Sequence, residues 1–208
     1  MSSADPRRDA TASLVVVHGA GSGPWVFEGW AHDSIEIVAV DLQRGLDPAT
    51  ASMEDYRRAV VDACAAARRP VALCGWSMGG LVAMTAARDA DVAALVVLEP
   101  SAPSEVQGTH DVADVTGTFD PEETYGAFPS GVAARPESAR ARADRKRGIS
   151  VPRLPRRSLV VYGDEFADDR GRAVARCYGI EEAHFPGLGH WDLVLDPRVR
   201  ARVFEFVA

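Results

Sequence analysis

Residues 71–87 have the sequence VALCGWSMGGLVAMTAA, and this stretch decides the fold. The apolar run at 71–74 is typical of a buried strand, and the pattern from residue 81 onward is typical of a buried helix. Between them, glycines flank Ser77 on both sides, which a sharp strand-to-helix turn requires because larger residues would keep the helix off the strand. Such a turn raises the serine hydroxyl clear of the sheet. An ordinary helix N-cap is the alternative interpretation, but the order of strand, turn and helix favours a nucleophile.

Short apolar runs rich in β-branched residues recur along the chain and predict parallel strands covered on both faces. With 71–74, these runs are residues 14–17, 35–40, 94–98, 159–162 and, less apolar, 182–185. Helical patterns alternate with them. One covers residues 53–69, with Ser52 as N-cap and Asp55 as its capping partner, and the last covers 197–206, with Asp196 as N-cap. We therefore predict an α/β protein with a doubly wound, mostly parallel sheet of about six strands, helices on both faces and the first strand central.

The composition predicts one globular domain, residues 13–208. The chain has 208 residues, 47% of them hydrophobic, and a formal net charge of -7, which argues against a nucleic-acid partner. Residues 1–12 are polar and lack the apolar stretch of a secretory signal, and no segment approaches the roughly 20 apolar residues of a membrane span. We expect a flexible N-terminus, a cytoplasmic location and no membrane partner. Three widely spaced cysteines indicate neither disulfides nor zinc, and no metal or cofactor is predicted.

An irregular segment, residues 101–157, interrupts the alternation of strands and helices. It is rich in turn residues and poor in apolar periodicity, and long insertions of this kind are usually functional or disordered, so we interpret it as a lid. Within it, residues 136–147 predict a polar helix closed by Gly148. The sequence Arg145-Lys146-Arg147 at the end of this helix fits either an anionic substrate or a solvated turn favourable to a helix C-terminus, and the second interpretation is preferred.

A serine hydroxyl needs a general base within hydrogen-bond reach and a third group that orients the base. His190 is the candidate base, because it lies after the serine in the glycine-rich loop GLGHWD at residues 187–192. His18 opens the sequence HGAGSG directly after the first strand, and we expect it to brace that loop. The acid is expected after the strand 159–162, where Asp164 follows a glycine.

Four blocks in this order, each on the expected element, resemble the α/β-hydrolase superfamily: His18-Gly19, the turn around Ser77, the acid after Tyr162-Gly163, and Gly189-His190. The resemblance extends from about residue 13 to the end of the chain, apart from the insertion. It implies Ser77 as nucleophile, His190 as base and Asp164 as acid. It also implies that the backbone amides of Ala20 and Met78 form the oxyanion hole.

The acid is where the chain departs from that superfamily. Members usually carry an aspartate three residues after the strand-ending glycine, a position held here by Phe166, so the loop is shortened. Glu165, which is one methylene longer, is the alternative acid, while Asp168 is expected to be the N-cap of the next helix. Glu99 ends the strand 94–98, where some relatives place their acid, but the proline after it favours a structural role.

Large aromatic residues near the candidate loops predict an apolar pocket for a small-molecule substrate: Trp25, Trp76 and Trp191. We expect a cofactor-independent serine hydrolase that cleaves a small or medium carboxylic ester, thioester or lactone through an acyl-enzyme. Two alternatives on the same fold stay open. One is a lyase resembling hydroxynitrile lyases, with the same serine and histidine as acid and base. The other is a receptor-like protein that binds a ligand without turnover.

Overall fold

A computed structural model describes residues 10–208 of the chain. Of the flexible N-terminus predicted at 1–12, residues 1–9 lie outside the described part of the chain. Its last residue, Ala12, already begins the first strand. Within residues 10–208, no helix has the length and apolar character that a bilayer crossing would need.

Six strands form one parallel sheet: β1 Ala12–Val17, β2 Ile35–Val40, β3 Val71–Trp76, β4 Ala94–Leu98, β7 Ser158–Tyr162 and β8 Glu181–His184. Their spatial order is β2-β1-β3-β4-β7-β8. Two short strands between β4 and β7, β5 Thr118–Phe119 and β6 Glu137–Ser138, pair with each other in a separate antiparallel ribbon. The predicted parallel sheet of six strands is confirmed. The first strand is second from the edge of the sheet, beside β2, instead of central.

Helices cover both faces of the sheet, as predicted. Their bounds are α1 Met53–Ala66, α2 Met78–Ala86, α3 Ser104–Gln107, α4 Pro121–Tyr125, α5 Ala139–Arg147, α6 Ala173–Tyr178, α7 Asp192–Leu195 and α8 Pro197–Val207. Alternate residues of β1 point to opposite faces, so Val15 and Val17 pack in the core beneath α1, α2 and α6, while Leu14 and Val16 pack beneath α8. The sheet is thus covered by an apolar layer on each face.

Local sequence signals set several helix ends as predicted. Ser52 and Asp55 form the capping box of α1, and the Asp196 side chain accepts from the backbone of Arg198 at the start of α8. The expectation for Asp168 is wrong. A π-helical turn at Ala167–Arg172 precedes α6, and its N-cap is Phe166. Asp168 lies inside this turn and forms an ion pair with Arg172.

The register brings the carboxyl ends of neighbouring strands level with one another. Val17 pairs with Val40 and Gly75, and Leu98 pairs with Trp76 and Val161. Residues that follow these ends therefore meet at one edge of the sheet, where ligands of open parallel sheets bind. The residues that directly follow β1, β2, β3 and β4 are all polar: His18, Asp41, Ser77 and Glu99.

Candidate active site

Ser77 lies on the sharp turn between β3 and α2. Its backbone angles, φ 56° and ψ -122°, are in a region that residues with a side chain rarely adopt. A Cβ on Gly75 would overlap the carbonyl of Gly79, and a Cβ on Gly79 would overlap the carbonyl of His18. Backbone hydrogen bonds hold the turn, from Ser77 N to Leu98 O at 3.0 Å and from Ser101 N to Ser77 O at 2.8 Å. The turn therefore presents the serine hydroxyl in the manner of a nucleophile elbow.

His190 lies in the loop between β8 and α7, and three contacts fix it. Its Nδ1 is 2.7 Å from Oε2 of Glu99. Its backbone amide donates to Glu165 Oε2 at 2.9 Å, and its carbonyl accepts from Trp76 Nε1 at 3.0 Å. With Nδ1 facing a carboxylate, Nε2 is the ring nitrogen left for proton transfer. Ser77 and His190 line the same cavity, although no direct hydrogen bond joins their side chains within residues 10–208; such bonds are often long before substrate binds.

The carboxylate beside His190 belongs to Glu99, which the sequence assigned to a structural role. Glu99 follows β4, has φ 36° and is fully buried. Its Oε1 accepts the backbone N–H of Gly163 at 2.8 Å, while Oε2 faces His190. Both oxygens thus have a partner, which offsets the cost of burying the charge. Because β4 lies between β3 and β7, a side chain at its end reaches the histidine directly.

The geometry does not support Asp164 as the acid. Its Oδ1 is 2.8 Å from His184 Nε2, and its Oδ2 accepts the Gly187 amide at 2.7 Å. That amide and the histidine lower the pKa of Asp164, whose side chain is exposed. The loop after β7 is short and turns toward the neighbouring edge strand β8, so Asp164 meets the end of β8 instead of His190. The alternative, Glu165, contacts the backbone of His190 and not its ring.

The loop after β1 carries the amide of Ala20, one of the two expected oxyanion donors. His18 is fully buried beneath this loop. Its Nε2 accepts from Leu42 N at 3.1 Å, so we assign the ring proton to Nδ1, which faces Gly19 O at 2.8 Å. His18 therefore braces the loop, as its position in the sequence indicated. Met78, the other donor, opens α2, where backbone amides lack partners within the helix.

Two residues of the insertion hold the same loop, and sequence inspection missed both. Arg135 donates from Nε to Ser22 O at 2.8 Å and pairs with Asp41 at 2.6 Å. Glu137, fully buried, accepts from Gly21 N at 3.0 Å and from Tyr56 Oη at 2.7 Å. Nothing in a polar stretch of sequence distinguishes such residues, because their partners are far away along the chain.

A cavity of about 360 Å³ opens beside Ser77 and His190; we call it the candidate active-site cavity. Trp76 and Trp191 line it, with ring centroids 4.5 Å apart. Trp25, the third predicted pocket residue, does not, since its indole donates to the carbonyl of Ala133 in the insertion. Within residues 10–208, no three histidine, cysteine, aspartate or glutamate side chains gather as a metal site would need.

The comparisons with known proteins agree with this geometry at the level of the fold. The model of the alpha/beta hydrolase family matches residues 14–203. No curated protein matches the chain. Among solved structures, the chain is similar to RedJ with a PEG molecule bound in its active site, at 23% identity and a TM-score of 0.67, covering 99% of this chain and 97% of that one. The RedJ thioesterase of the prodiginine biosynthetic pathway in Streptomyces coelicolor gives 20% identity, a TM-score of 0.62 and coverages of 99% and 90%. A pyrethroid hydrolase from Sphingobium faniae gives 16% identity, a TM-score of 0.64 and coverages of 94% and 97%.

Proposed function

Because the chain belongs to the alpha/beta hydrolase family, we propose that it is a serine hydrolase that cleaves a small or medium carboxylic ester, thioester or lactone. One observation carries this proposal. Ser77 on its strained turn and His190 line one cavity, and a buried carboxylate, Glu99, faces the far nitrogen of the histidine. A nucleophile, a base and an oriented acid are the three parts that acyl transfer by a serine requires.

The reaction follows from these positions. Ser77 Oγ attacks the substrate carbonyl and passes its proton to Nε2 of His190. The amides of Ala20 and Met78 donate hydrogen bonds to the oxyanion that forms. The imidazolium, stabilised by Glu99, then protonates the leaving alcohol or thiol. In the second half of the reaction His190 takes a proton from water, which attacks the acyl-serine, and returns that proton to Ser77 as the acid product leaves. Side chains, backbone amides and water supply every step.

The Glu99 contact also bears on the alternative of a receptor without turnover. That alternative rested on the shortened loop that carries Asp164. A carboxylate at 2.7 Å from His190 Nδ1 makes this loop unnecessary for catalysis, which supports a working hydrolase. The similarity to a structure named as a thioesterase and to one named as a pyrethroid hydrolase supports ester or thioester chemistry in the same way.

Labelling and trapping test the proposal. We expect a fluorophosphonate probe to modify the protein and Ser77→Ala to lose both labelling and turnover of chromogenic esters. Ser150→Ala, which changes an exposed serine of the insertion, is the matched control and should retain both. Mass spectrometry after rapid quenching should detect an acyl group on the peptide that contains Ser77. Labelling without an acyl-serine would favour the lyase, and turnover by Ser77→Ala would refute the mechanism.

A further inference from the structure

A second cavity, of about 730 Å³, adjoins the candidate active-site cavity. We call it the basic cavity. It lies between the insertion and the π-helical turn before α6. The two cavities share five lining residues: Ser101, Tyr125, Arg145, Phe166 and Arg170. The two cavities therefore lie next to each other, with these residues between them.

The basic cavity is positively charged although the chain as a whole is negative, at -7. Five cationic side chains line it: Arg142, Arg145, Lys146, Arg170 and Arg176. Its two carboxylates are Asp168 and Asp169, and the first already pairs with Arg172 at 2.7 Å. The positive charges thus exceed the carboxylates free to neutralise them.

Arg170 is a half-buried cation of this cavity, and the carboxylates of Glu99 and Glu165 lie close enough to interact with its charge without pairing with it. Its guanidinium makes no hydrogen bond or ion pair within the described part of the chain, and its carbon atom Cζ lies 3.9 Å from the ring centroid of Phe166. Burial lowers the pKa of Arg170, as expected for a cation held away from water. Stacking on an aromatic ring fixes the plane of the guanidinium and leaves its N–H groups free to bind an anion.

Arg145 also lines the basic cavity, and within residues 10–208 its guanidinium forms no ion pair with a carboxylate. Its Nη2 donates to Tyr125 Oη at 3.1 Å and its Nη1 to Ser101 Oγ at 3.4 Å, while its buried Nε has no partner. Arg147, two residues on, pairs instead with Asp144. The interpretation of this basic sequence as a solvated turn therefore fits Arg147, whereas Arg145 enters the wall of both cavities.

We propose that the basic cavity binds an anionic group of the substrate, a carboxylate or a phosphate, whose oxygens contact Arg145 and Arg170 while the reacting carbonyl lies at Ser77. The position of the reacting carbonyl at Ser77 rests on the proposed hydrolase function, whereas the anion site does not. Guanidinium groups match the planar geometry of carboxylate and phosphate oxygens and bind them through paired hydrogen bonds. The substrate class is accordingly narrowed to esters or thioesters that carry an acidic group away from the reacting carbonyl.

Binding to an inactive variant tests the anion site without turnover. The test measures by calorimetry how tightly the Ser77→Ala variant binds hexanoate, hexyl phosphate and hexanol. One or both anions should bind more tightly than hexanol, and the tighter one identifies the acidic group. Adding Arg170→Gln or Arg145→Gln should weaken anion binding by about ten- to hundredfold, as for a lost charged hydrogen bond. Adding Arg140→Gln, which changes an exposed residue of α5, should leave anion binding unchanged. Equal binding of hexanol, or anion binding indifferent to both arginines, would overturn the proposal.

Two further measurements keep the result interpretable. Thermal unfolding of each variant identifies a loss caused by misfolding, and Arg170→Lys, which keeps the charge but not the planar fork, should bind with intermediate affinity. In the active protein, nitrophenyl esters with a terminal carboxylate should have a higher kcat/KM than neutral esters of equal length. Anion binding without ester turnover would refute the proposed hydrolase alone, whereas turnover with neither anion binding nor this preference would refute the basic cavity alone.

Discussion

Replacing Glu99 with glutamine gives the sharpest test of the site. The carboxylate accepts from His190 Nδ1 at 2.7 Å and from Gly163 N at 2.8 Å, but an amide has only one oxygen for these two donors. If that oxygen faces Gly163, the amide NH2 donates to Nδ1 and fixes the proton of the neutral ring on Nε2. That tautomer cannot accept the serine proton. If the oxygen faces His190, a buried backbone donor loses its partner, at a cost to stability of about 1–3 kcal/mol.

The first arrangement resembles the loss of the aspartate charge in a serine protease triad, where kcat falls by about 10⁴. We expect kcat of Glu99→Gln on a chromogenic ester to fall by about 10³–10⁴ near neutral pH, with less effect on KM. Initial rates over a range of substrate concentrations give both parameters, and far-ultraviolet circular dichroism shows whether the variant remains folded.

Asp164→Asn is the matched control, since its carboxylate contacts His184 and Gly187 and not His190. We expect it to retain nearly all turnover. Glu165→Gln should also stay active, because its remaining oxygen can accept the His190 amide. A folded Glu99→Gln protein with wild-type kcat, or an Asp164→Asn protein impaired as severely as Glu99→Gln, would refute the reasoning.

Three further predictions concern the framework of the site. Gly79→Ala should lower the free energy of unfolding by at least about 1–3 kcal/mol in urea titrations, because the new Cβ would overlap the His18 carbonyl. Glu137→Ala should cost about 1–3 kcal/mol for each buried donor left without an acceptor, namely Gly21 N, Tyr56 Oη and Ser138 N, and should lower kcat by loosening the loop that carries the Ala20 amide. Asp41→Asn should destabilise the protein at neutral pH but lose this effect in acid. The Arg135 guanidinium and the backbone amide of Gln43 hold the pKa of Asp41 below its usual range, so its ionised form stabilises the fold fully above about pH 4 and progressively less below it.

Each of these has a control or a contradicting result. Gly45→Ala places its Cβ in open space and costs only the backbone strain of a φ of 73°, about 1–2 kcal/mol, so it should destabilise less than Gly79→Ala, and equal losses would contradict the overlap argument. Glu137→Gln keeps one acceptor oxygen and should fall between wild type and Glu137→Ala. For Asp41→Asn, a difference from wild type that widens in acid would show that the sign of the pKa argument is wrong.

The positions of Ser77 and His190 beside one cavity were predictable because their sequence signals are local. Ser77 is marked by the strand, turn and helix around it, and His190 by its glycine-rich loop. The contact of Glu99 with His190 was not predictable, because it joins residues 91 positions apart and depends on β4 lying beside β3 in the sheet. The strand pattern predicts that a parallel sheet forms, but it does not give the order of its strands. Strand order decides which carboxylate reaches the histidine.

The fold of the insertion was less predictable for a similar reason. The polar helix predicted at 136–147 ends at Arg147 as expected, and Gly148 follows with φ 98°, but it begins only at Ala139 because Glu137–Ser138 pair in β6. The short ribbon of β5 and β6 and the role of Glu137 were not foreseen, because they depend on partners elsewhere in the chain. Glu137 contacts a loop residue 116 positions away, and sequence periodicity carries no information on such contacts.

The hydrogen bonds from Arg135 and Glu137 to the loop after β1 bear on how this chain could be re-engineered. Exchanging the whole insertion for that of a relative would remove the acceptor of the Gly21 amide and the donor to Ser22 O, and would disturb the loop after β1 even if the new segment folded well. A graft confined to residues 121–131 leaves both contacts in place. Exchanging that shorter segment should therefore change the substrate preference, provided that residues 135–137 are retained.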